Sequence, residues 1–430
     1  MIKVALISLG CAKNTVDSEA LLALFKIKGF LITTSLEDSD VIIINTCGFI
    51  EPSKEEAINT ILECEKYHKK LIVTGCLVER YKKQLEEEMP EVDLFISLKE
   101  YEKLPQILNG FFKEKGFDRD FDIFNRVIST GSYTAYLKIS EGCDNFCAFC
   151  AIPFIRGRFH SYPMNDLITY AKELAKNGCK ELVVISQDTV NYGKDLDDKN
   201  ANLLNLLKEL DKIDGIEFIR TLYMYPEGIS DELLYFIRDS KKMTHYLDIP
   251  LQHCDDEVLK RMNRKDTKET ILSLYKRIKN IIPDAILRTT LITGFPGETE
   301  DAFNELKDFI KHIEFNHLGV FPYSKEEGTK GSFYKDQIPE EIKNKRKDEI
   351  MEIQKGISYK LNKALIGKET KAIITKVNPN NEYEVRCGYN APDDIDGSII
   401  VKTNKTHQEG DIIKIKITNA FVYDLLAKEI

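Results

Sequence analysis

From Val4 onward the chain alternates short apolar runs with helical segments, which limits it to an α/β fold of parallel sheets with helices on their faces. In the first stretch the predicted strands are Val4–Leu9, Val41–Ile44 and Leu71–Val73. Between the first two, Leu21, Leu24 and Phe25 share one helical face and Gly29 supplies a stop. Ser53-Lys54-Glu55-Glu56 has the form of a capping box and is predicted to open the next helix. These units predict an N-terminal open parallel-sheet domain over residues 1–115. Asn109 to Asn125 is charged and rich in phenylalanine without a clear period, and reads as a linker or an edge element. At Tyr133 the alternation resumes. Tyr136–Ile139, Leu182–Ile185, Glu217–Tyr223, His245–Asp248, Ile286–Ile292 and His317–Phe321 are six predicted strands separated by helical segments. Six units over 130–360 suit a partial (β/α) barrel rather than a closed eight-stranded one, with ligands collecting at the carboxyl ends of the strands. Helical character runs from Pro339 to about Lys363. After Gly367 the pattern changes to short alternating segments, Lys371–Val377, Glu382–Arg386, Ser398–Lys402 and Asp411–Ile417, divided by turn residues such as Asn378-Pro379-Asn380-Asn381 and Asp393-Asp394. They predict a small antiparallel β-barrel over 365–430.

The N-terminus lacks the pattern of a signal peptide, and no apolar run reaches the roughly 18 residues of a membrane span. The expected location is therefore the cytoplasm, with no membrane association. There a disulfide framework is not expected for the ten cysteines, and clustered cysteines point to metal or redox chemistry. Cys64, Cys179, Cys254 and Cys387 have no cysteine at short spacing and read as small buried apolar residues.

Cys143, Cys147 and Cys150 are different. Their spacing is Cys-x3-Cys-x2-Cys, directly after a predicted strand. Three thiolates on one loop can each take one iron of a four-iron cube, leaving the fourth iron open to a ligand. The alternative is a structural zinc ion with His160 as fourth ligand, but zinc ribbons pair two Cys-x2-Cys knuckles and no second knuckle is present. Cys11, Cys47 and Cys76 are far apart in sequence, yet each follows a predicted strand within a few residues. The carboxyl ends of neighbouring parallel strands lie on one edge, so adjacent strands would bring the three thiols into one crevice able to hold a second cluster. Three unrelated buried cysteines are the plainer alternative, weakened by the repeated placement.

The triplet's spacing, with Phe149 before the third cysteine, resembles the signature of the radical S-adenosylmethionine superfamily, whose usual core is a partial barrel. There the open iron binds the amino and carboxylate groups of S-adenosylmethionine, and one electron cleaves the sulfonium to a 5′-deoxyadenosyl radical. Further motifs are Leu9-Gly10-Cys11, Asn45-Thr46-Cys47-Gly48-Phe49, Thr74-Gly75-Cys76-Leu77, Ala151-Ile152-Pro153 after the triplet, Gly294-Phe295-Pro296-Gly297-Glu298-Thr299 and Tyr323-Ser324-Lys325-Glu326-Glu327-Gly328-Thr329. With a C-terminal barrel that resembles a TRAM domain, the whole chain resembles the radical S-adenosylmethionine methylthiotransferases. The resemblance implies two 4Fe-4S clusters, held by Cys11, Cys47 and Cys76 and by Cys143, Cys147 and Cys150. It also implies that one S-adenosylmethionine methylates sulfur at the N-terminal cluster and a second initiates hydrogen abstraction from an unactivated carbon, with a reducing electron donor and a sulfur source supplied from outside.

Gly294 and Glu298 lie in a loop that in the superfamily helps shape the cofactor site, although a tight turn explains the glycine and proline residues as well. Gln252 and His253 sit at a strand end. Arg288 and Arg220 lie inside predicted strands, placed for a cofactor carboxylate or for a structural ion pair. Gly294, Glu298, Arg288 and Gln252 are the candidate cofactor contacts.

One branch of this family modifies an adenosine next to the tRNA anticodon, the other an aspartate β-carbon of ribosomal protein S-twelve. Asp144, and Asp188 within Gln187-Asp188-Thr189-Val190-Asn191-Tyr192-Gly193, resemble the protein-modifying branch. Leu77-Val78-Glu79-Arg80-Tyr81 and Ile249-Pro250-Leu251-Gln252-His253 also fit. Charge points the same way: the chain carries a net −9, and from Gly367 onward nine Lys/Arg against ten Asp/Glu give −1, where a phosphate-gripping module is expected to be basic. Asp393-Asp394-Ile395-Asp396 reads as an acidic patch favouring a basic protein over RNA, or as a solvated turn. His160 and Tyr162 depart from the family, which usually has arginines there, whereas Arg156 and Arg158 remain. The expected activity is methylthiolation of the ribosomal protein; the alternatives are the same chemistry on tRNA and a non-catalytic metal-binding RNA chaperone.

Overall fold

The computed structural model describes residues 1–113, 116–392 and 395–430. Its N-terminal sheet consists of β1 (Lys3–Ser8), β2 (Leu31–Ile32), β3 (Val41–Thr46), β4 (Lys70–Gly75) and β5 (Leu94–Ile96), all parallel, in the order β2-β1-β3-β4-β5. Every residue of β3 is buried, as in a parallel strand covered on both faces. The helices are α1 (Ala12–Lys28), α2 (Glu51–Glu65), α3 (Cys76–Glu88) and α4 (Leu104–Phe112). Gly29 ends α1 in the left-handed conformation, as expected. Helix α2 starts at Glu51, two residues before the anticipated Ser53, because Pro52 suits the first turn and no capping box forms. The phenylalanine-rich stretch belongs to the core of this sheet rather than to a linker. Phe112 and Phe117 join Phe25 and Phe30, with the Phe25 ring 5.3 Å from both Phe30 and Phe117.

The central region contributes β6 (Thr134–Lys138), a short antiparallel ribbon of β7 (Ser140–Glu141) and β8 (His160–Ser161), then β9 (Glu181–Ile185), β10 (Phe218–Thr221), β11 (Met243–Asp248), β12 (Ile286–Thr293) and β13 (His317–Pro322). Six of these form one open parallel sheet in the order β13-β12-β11-β10-β9-β6, the partial barrel anticipated from the alternation. Its helices are α5 (Ile152–Ile155), α6 (Met164–Lys176), α7 (Leu203–Asp211), α8 (Asp231–Asp239), α9 (Asp256–Arg261), α10 (Lys268–Ile281), α11 (Glu300–Ile313) and α12 (Glu340–Ala364). Alternate strand residues divide between two cores. Leu182, Val184 and Leu247 face the helices, whereas Tyr136, Val183, Ile185, Tyr246 and Ile286 form a second core together with Ala12 and Val16 of α1 and with Ala391. The concave face is thus filled by residues of both flanking regions.

The C-terminal barrel is closed, β14 (Glu369–Asn378), β15 (Glu382–Arg386), β16 (Ile399–Lys402), β17 (Ile412–Ala420) and β18 (Leu425–Glu429) running round it in the order β14-β15-β16-β18-β17. The last strand was not anticipated, and the barrel is not wholly antiparallel: β16 and β18 pair in parallel. The reason is parity, since strands cannot alternate direction all the way round a closed ring of odd number. This barrel docks on the amino ends of the central strands. Arg386 pairs with Glu181 at 2.5 Å, Arg220 donates to the Cys387 carbonyl at 2.8 Å, and Tyr133 Oη donates to the Thr375 carbonyl at 2.8 Å.

Asp396 belongs to this junction and not to a surface patch. Only 6% exposed, it accepts hydrogen bonds from Tyr246 Oη (2.5 Å) and the Ala391 amide (2.9 Å) and faces Arg288 (3.4 Å). Asp393 and Asp394 lie outside the described residues. Removing a buried, hydrogen-bonded carboxylate leaves its donors unpaired, so Asp396→Ala is expected to cost about 3 kcal/mol in urea unfolding and to hasten proteolysis within the C-terminal barrel. Among the described residues no helix is long and apolar enough to cross a membrane.

Candidate functional site

Strands β1, β3 and β4 are neighbours, so the loops carrying Cys11, Cys47 and Cys76 leave one edge of the sheet side by side. Two glycines let these loops touch. A Cβ on Gly10, itself at φ +88°, would stand 2.7 Å from Cys47 Cβ, and one on Gly48 would stand 2.6 Å from Leu77 Cα. Cys11 caps α1 and is exposed, Cys76 opens α3 and is buried, and Cys47 is buried between them. Asn14 ties the loops together: its Nδ2 donates to the Leu9 carbonyl (2.8 Å) and the Thr46 carbonyl (3.1 Å), and its Oδ1 lies 3.6 Å from Cys76 Sγ. Burial pushes the Cys76 thiol up to about 12 and raises Cys47 as well.

The second set lies on the loop after β7. Cys143, Cys147 and Cys150 are all half-buried. The loop is pinned by the Ala148 amide on the Met262 carbonyl (2.8 Å) and by the Gly331 amide on the Ala148 carbonyl (2.7 Å). Burial raises all three thiols, Cys143 to about 12, and at Cys147 the positive charge of Arg264 opposes the rise. Arg264 is itself buried, stacks on the Tyr225 ring (3.9 Å) and leaves its Nε unpartnered among the described residues. Buried thiols backed by a guanidinium suit metal-bound thiolates, which must shed their protons. Among the described residues no three His, Cys, Asp or Glu side chains converge closely enough for one metal ion, at either cysteine set or at His160. A cluster differs in that each thiolate takes a separate iron.

The two cysteine sets are joined by the segment that follows the triplet. Ala151 and Ile155 pack on Cys76. Arg156, next in line, reaches Cys76 Sγ (3.6 Å), Asn14 Oδ1 (2.5 Å), Asp17 (2.9 Å) and Glu141 (3.0 Å). Lys138 also takes Asp17 (2.6 Å) and Glu141 (2.7 Å), which completes a buried square of two cations and two carboxylates between the domains. Opposite charges hold the Glu141 carboxyl well below the usual range and Lys138 above its own. Lys13, buried on the first turn of α1, lies 3.1 Å from the centre of the Tyr223 ring. Sequence reasoning passed over Lys13, Asn14 and Arg264 and gave Arg156 no role; the first two lie within three residues of Cys11, which was the available signal.

The aspartates that pointed to a substrate class have separate local roles. Asp144 pairs with Arg158 at the surface (2.7 Å), whereas buried Asp188 accepts from Asn145 and Asn191 (both 2.6 Å). Gln252, half-buried at φ +71°, bridges to Leu291 beyond the end of β11. The other candidate cofactor contacts are engaged within the protein. Arg288 pairs with Asp248 (3.0 Å) as well as Asp396. The Gly294 amide donates to Glu298, whose carboxyl is pushed up to about 7 by burial, with Arg346 opposing. His253 is fully buried and held low, to about 3. His160 is exposed and meets the Tyr162 ring edge-on (5.6 Å). Cys64, Cys179, Cys254 and Cys387 are buried, as expected of apolar fillers.

Residues 3–97 match the model of Uncharacterized protein family UPF0004, residues 137–310 that of the Radical SAM superfamily, and residues 366–430 that of the TRAM domain. Among solved structures, the radical S-adenosylmethionine methyltransferase TsrM from Kitasatospora setae superposes with a TM-score of 0.56 at 13% identity, covering 75% of each chain. The cobalamin-dependent radical enzyme OxsB gives 0.51 at 13% identity, over 83% of this chain and 56% of its own. At those identities the likeness is one of fold. Sequence relatives are much nearer. The ribosomal protein uS12 methylthiotransferase RimO of Clostridium botulinum (strain Loch Maree) is 45% identical over 99% of this chain and 97% of its own length, and that of Clostridium perfringens (strain ATCC 13124) is 46% identical over the same shares. With 45% identity over 99% of its length and the three family models matched in succession, the chain belongs to the RimO family of radical S-adenosylmethionine methylthiotransferases.

Proposed function

We propose that this protein adds a methylthio group to the β-carbon of an aspartate in ribosomal protein uS12. The full-length likeness to RimO supports the substrate, and the contact of Arg156 with Cys76 supports a reaction that uses both cysteine sets together. In this reading Cys143, Cys147 and Cys150 hold one 4Fe-4S cluster and Cys11, Cys47 and Cys76 a second. With S-adenosylmethionine bound, these clusters supply one-electron chemistry and a place for sulfur. The residues around them do the rest. Arg264 and Arg156 offset the negative charge of Cys147 and Cys76. Ala151 and Ile155 keep water from Cys76. The square of Lys138, Asp17, Arg156 and Glu141 fixes the separation of the two sets. We assign Gln252, Gly294, Glu298 and Arg288 to the surroundings of S-adenosylmethionine, with Gln252 at the carboxyl ends of the strands and the other three also held by their contacts within the protein. An external reductant and a sulfur source complete the reaction. The units are an N-terminal methylthiotransferase domain (1–115), a radical core (130–360) and a TRAM-like barrel (365–430).

Deleting the gene and comparing the masses of ribosomal proteins and tRNA nucleosides tests this. Loss of a methylthio mass from uS12 is expected. Its loss from a tRNA nucleoside with uS12 unchanged would assign the chemistry to tRNA instead, and failure of the reduced protein to cleave S-adenosylmethionine would favour a non-catalytic role.

A further inference from the structure

Lys13 is the second residue of α1 and is 5% exposed. Among the described residues its ammonium makes no hydrogen bond and no ion pair; its contact is with the face of the Tyr223 ring. The neighbouring cations are placed differently. Lys138 and Arg156 each take both Asp17 and Glu141. Asp248, the other carboxylate nearby, accepts from the Tyr223 amide (2.9 Å) and pairs with Arg288. The local carboxylates are therefore engaged, and the Lys13 amine has only a ring face against it in a setting where burial works against its charge. Such a charge is costly unless something else pairs with it.

The surroundings are built to hold it there. Tyr223 has a left-handed backbone (φ +60°), a conformation costly for tyrosine. Asp248 secures that turn through the Tyr223 amide and, by its carbonyl, through the Met224 amide (3.0 Å), while Thr189 Oγ1 donates to the Tyr223 carbonyl (3.1 Å). The ring is thereby set beneath the ammonium. Tyr223 and Asp248 lie at the carboxyl ends of β10 and β11, where barrels of this kind receive ligands, and Lys13 is two residues beyond Cys11.

We propose that Lys13 binds the side-chain carboxylate of the substrate aspartate. This rests on the reading of the substrate as an aspartyl protein. In that reaction the carbon to be modified is bonded directly to a carboxylate, so a cation beside the sulfur-side cysteines would hold the target carbon within reach of both cysteine sets. A second carboxylate of the same chemistry is that of S-adenosylmethionine, and the experiment separates the two.

Full-length, anaerobically reconstituted protein is titrated without reductant against two fluorescent uS12 peptides spanning the target position, one with the target aspartate and one with asparagine there. The unsubstituted protein is expected to favour aspartate by roughly tenfold or more, the worth of one charge-assisted hydrogen bond. Lys13→Met brings the ratio close to one, and Lys13→Arg restores part of it. An unchanged ratio in Lys13→Met overturns the proposal. So does loss of S-adenosylmethionine affinity with the ratio intact, which would give Lys13 to the cofactor. Should Lys13→Met melt early, Lys13→Gln against Lys13→Arg makes the same comparison. If the unsubstituted protein modifies tRNA and binds neither peptide, the substrate reading fails and the proposal with it; if it modifies the aspartyl peptide and Lys13→Met keeps the ratio, only the proposal fails.

Discussion

Cys147→Ala protein, reconstituted anaerobically, is expected to hold about four irons where the unsubstituted chain holds about eight, and to form no 5′-deoxyadenosine on reduction. Cys147 is the triplet thiol beside Arg264, so its loss removes a ligand while the guanidinium keeps Asp266 (3.2 Å) and the Pro250 carbonyl (2.9 Å). Cys76→Ala makes the informative contrast. It should lose the same share of iron yet still cleave S-adenosylmethionine, with no methylthiolated peptide formed. Iron analysis, 5′-deoxyadenosine chromatography and peptide mass spectrometry read the three outcomes. Full iron content in either variant, or loss of cleavage in Cys76→Ala, would contradict the assignment of two separate clusters.

The second large effect is on stability. Arg156→Met removes one corner of the buried square, leaving Asp17 and Glu141 to share Lys138 and Cys76 without its guanidinium. Breaking a buried ion pair from one side costs about 3–5 kcal/mol, and that is the loss expected in urea unfolding. Because the contacts cross from the segment after the triplet to α1, proteolysis between the first two domains should quicken as well. A variant as stable as its parent would show that the square is not what joins them.

Much of this architecture was legible in the sequence because burial on both faces of a parallel strand leaves continuous apolar runs, and β3 and β9 are of that kind. That Cys11, Cys47 and Cys76 leave one edge of the sheet was legible because neighbouring strand ends in a parallel sheet share that edge. What could not be read came from contacts between distant segments. Arg156 meets Asp17 across 139 positions and Asn14 across 142, and no local pattern announces such a meeting. Asp396 misled because acidic residues beside a turn usually face water, whereas its partners Tyr246 and Arg288 come from strands far upstream. Strand β18 is five residues long and closes the barrel from the chain's end, where alternation has little length in which to show. Ser53 offered a plausible cap that Pro52 pre-empted.

The docking of the C-terminal barrel bears on how this protein can be re-engineered. Glu181 and Arg220 are both at most 1% exposed, and both are satisfied partly by Arg386 and the Cys387 carbonyl. The module is therefore a foundation stone, not a bead on a string. A chimera that exchanges residues 365–430 for another protein's barrel must carry equivalents of Arg386, Cys387 and Asp396, or the base of the central barrel opens to water. Changing what this end of the molecule recognises is best done on the far face of the barrel, leaving the seam untouched.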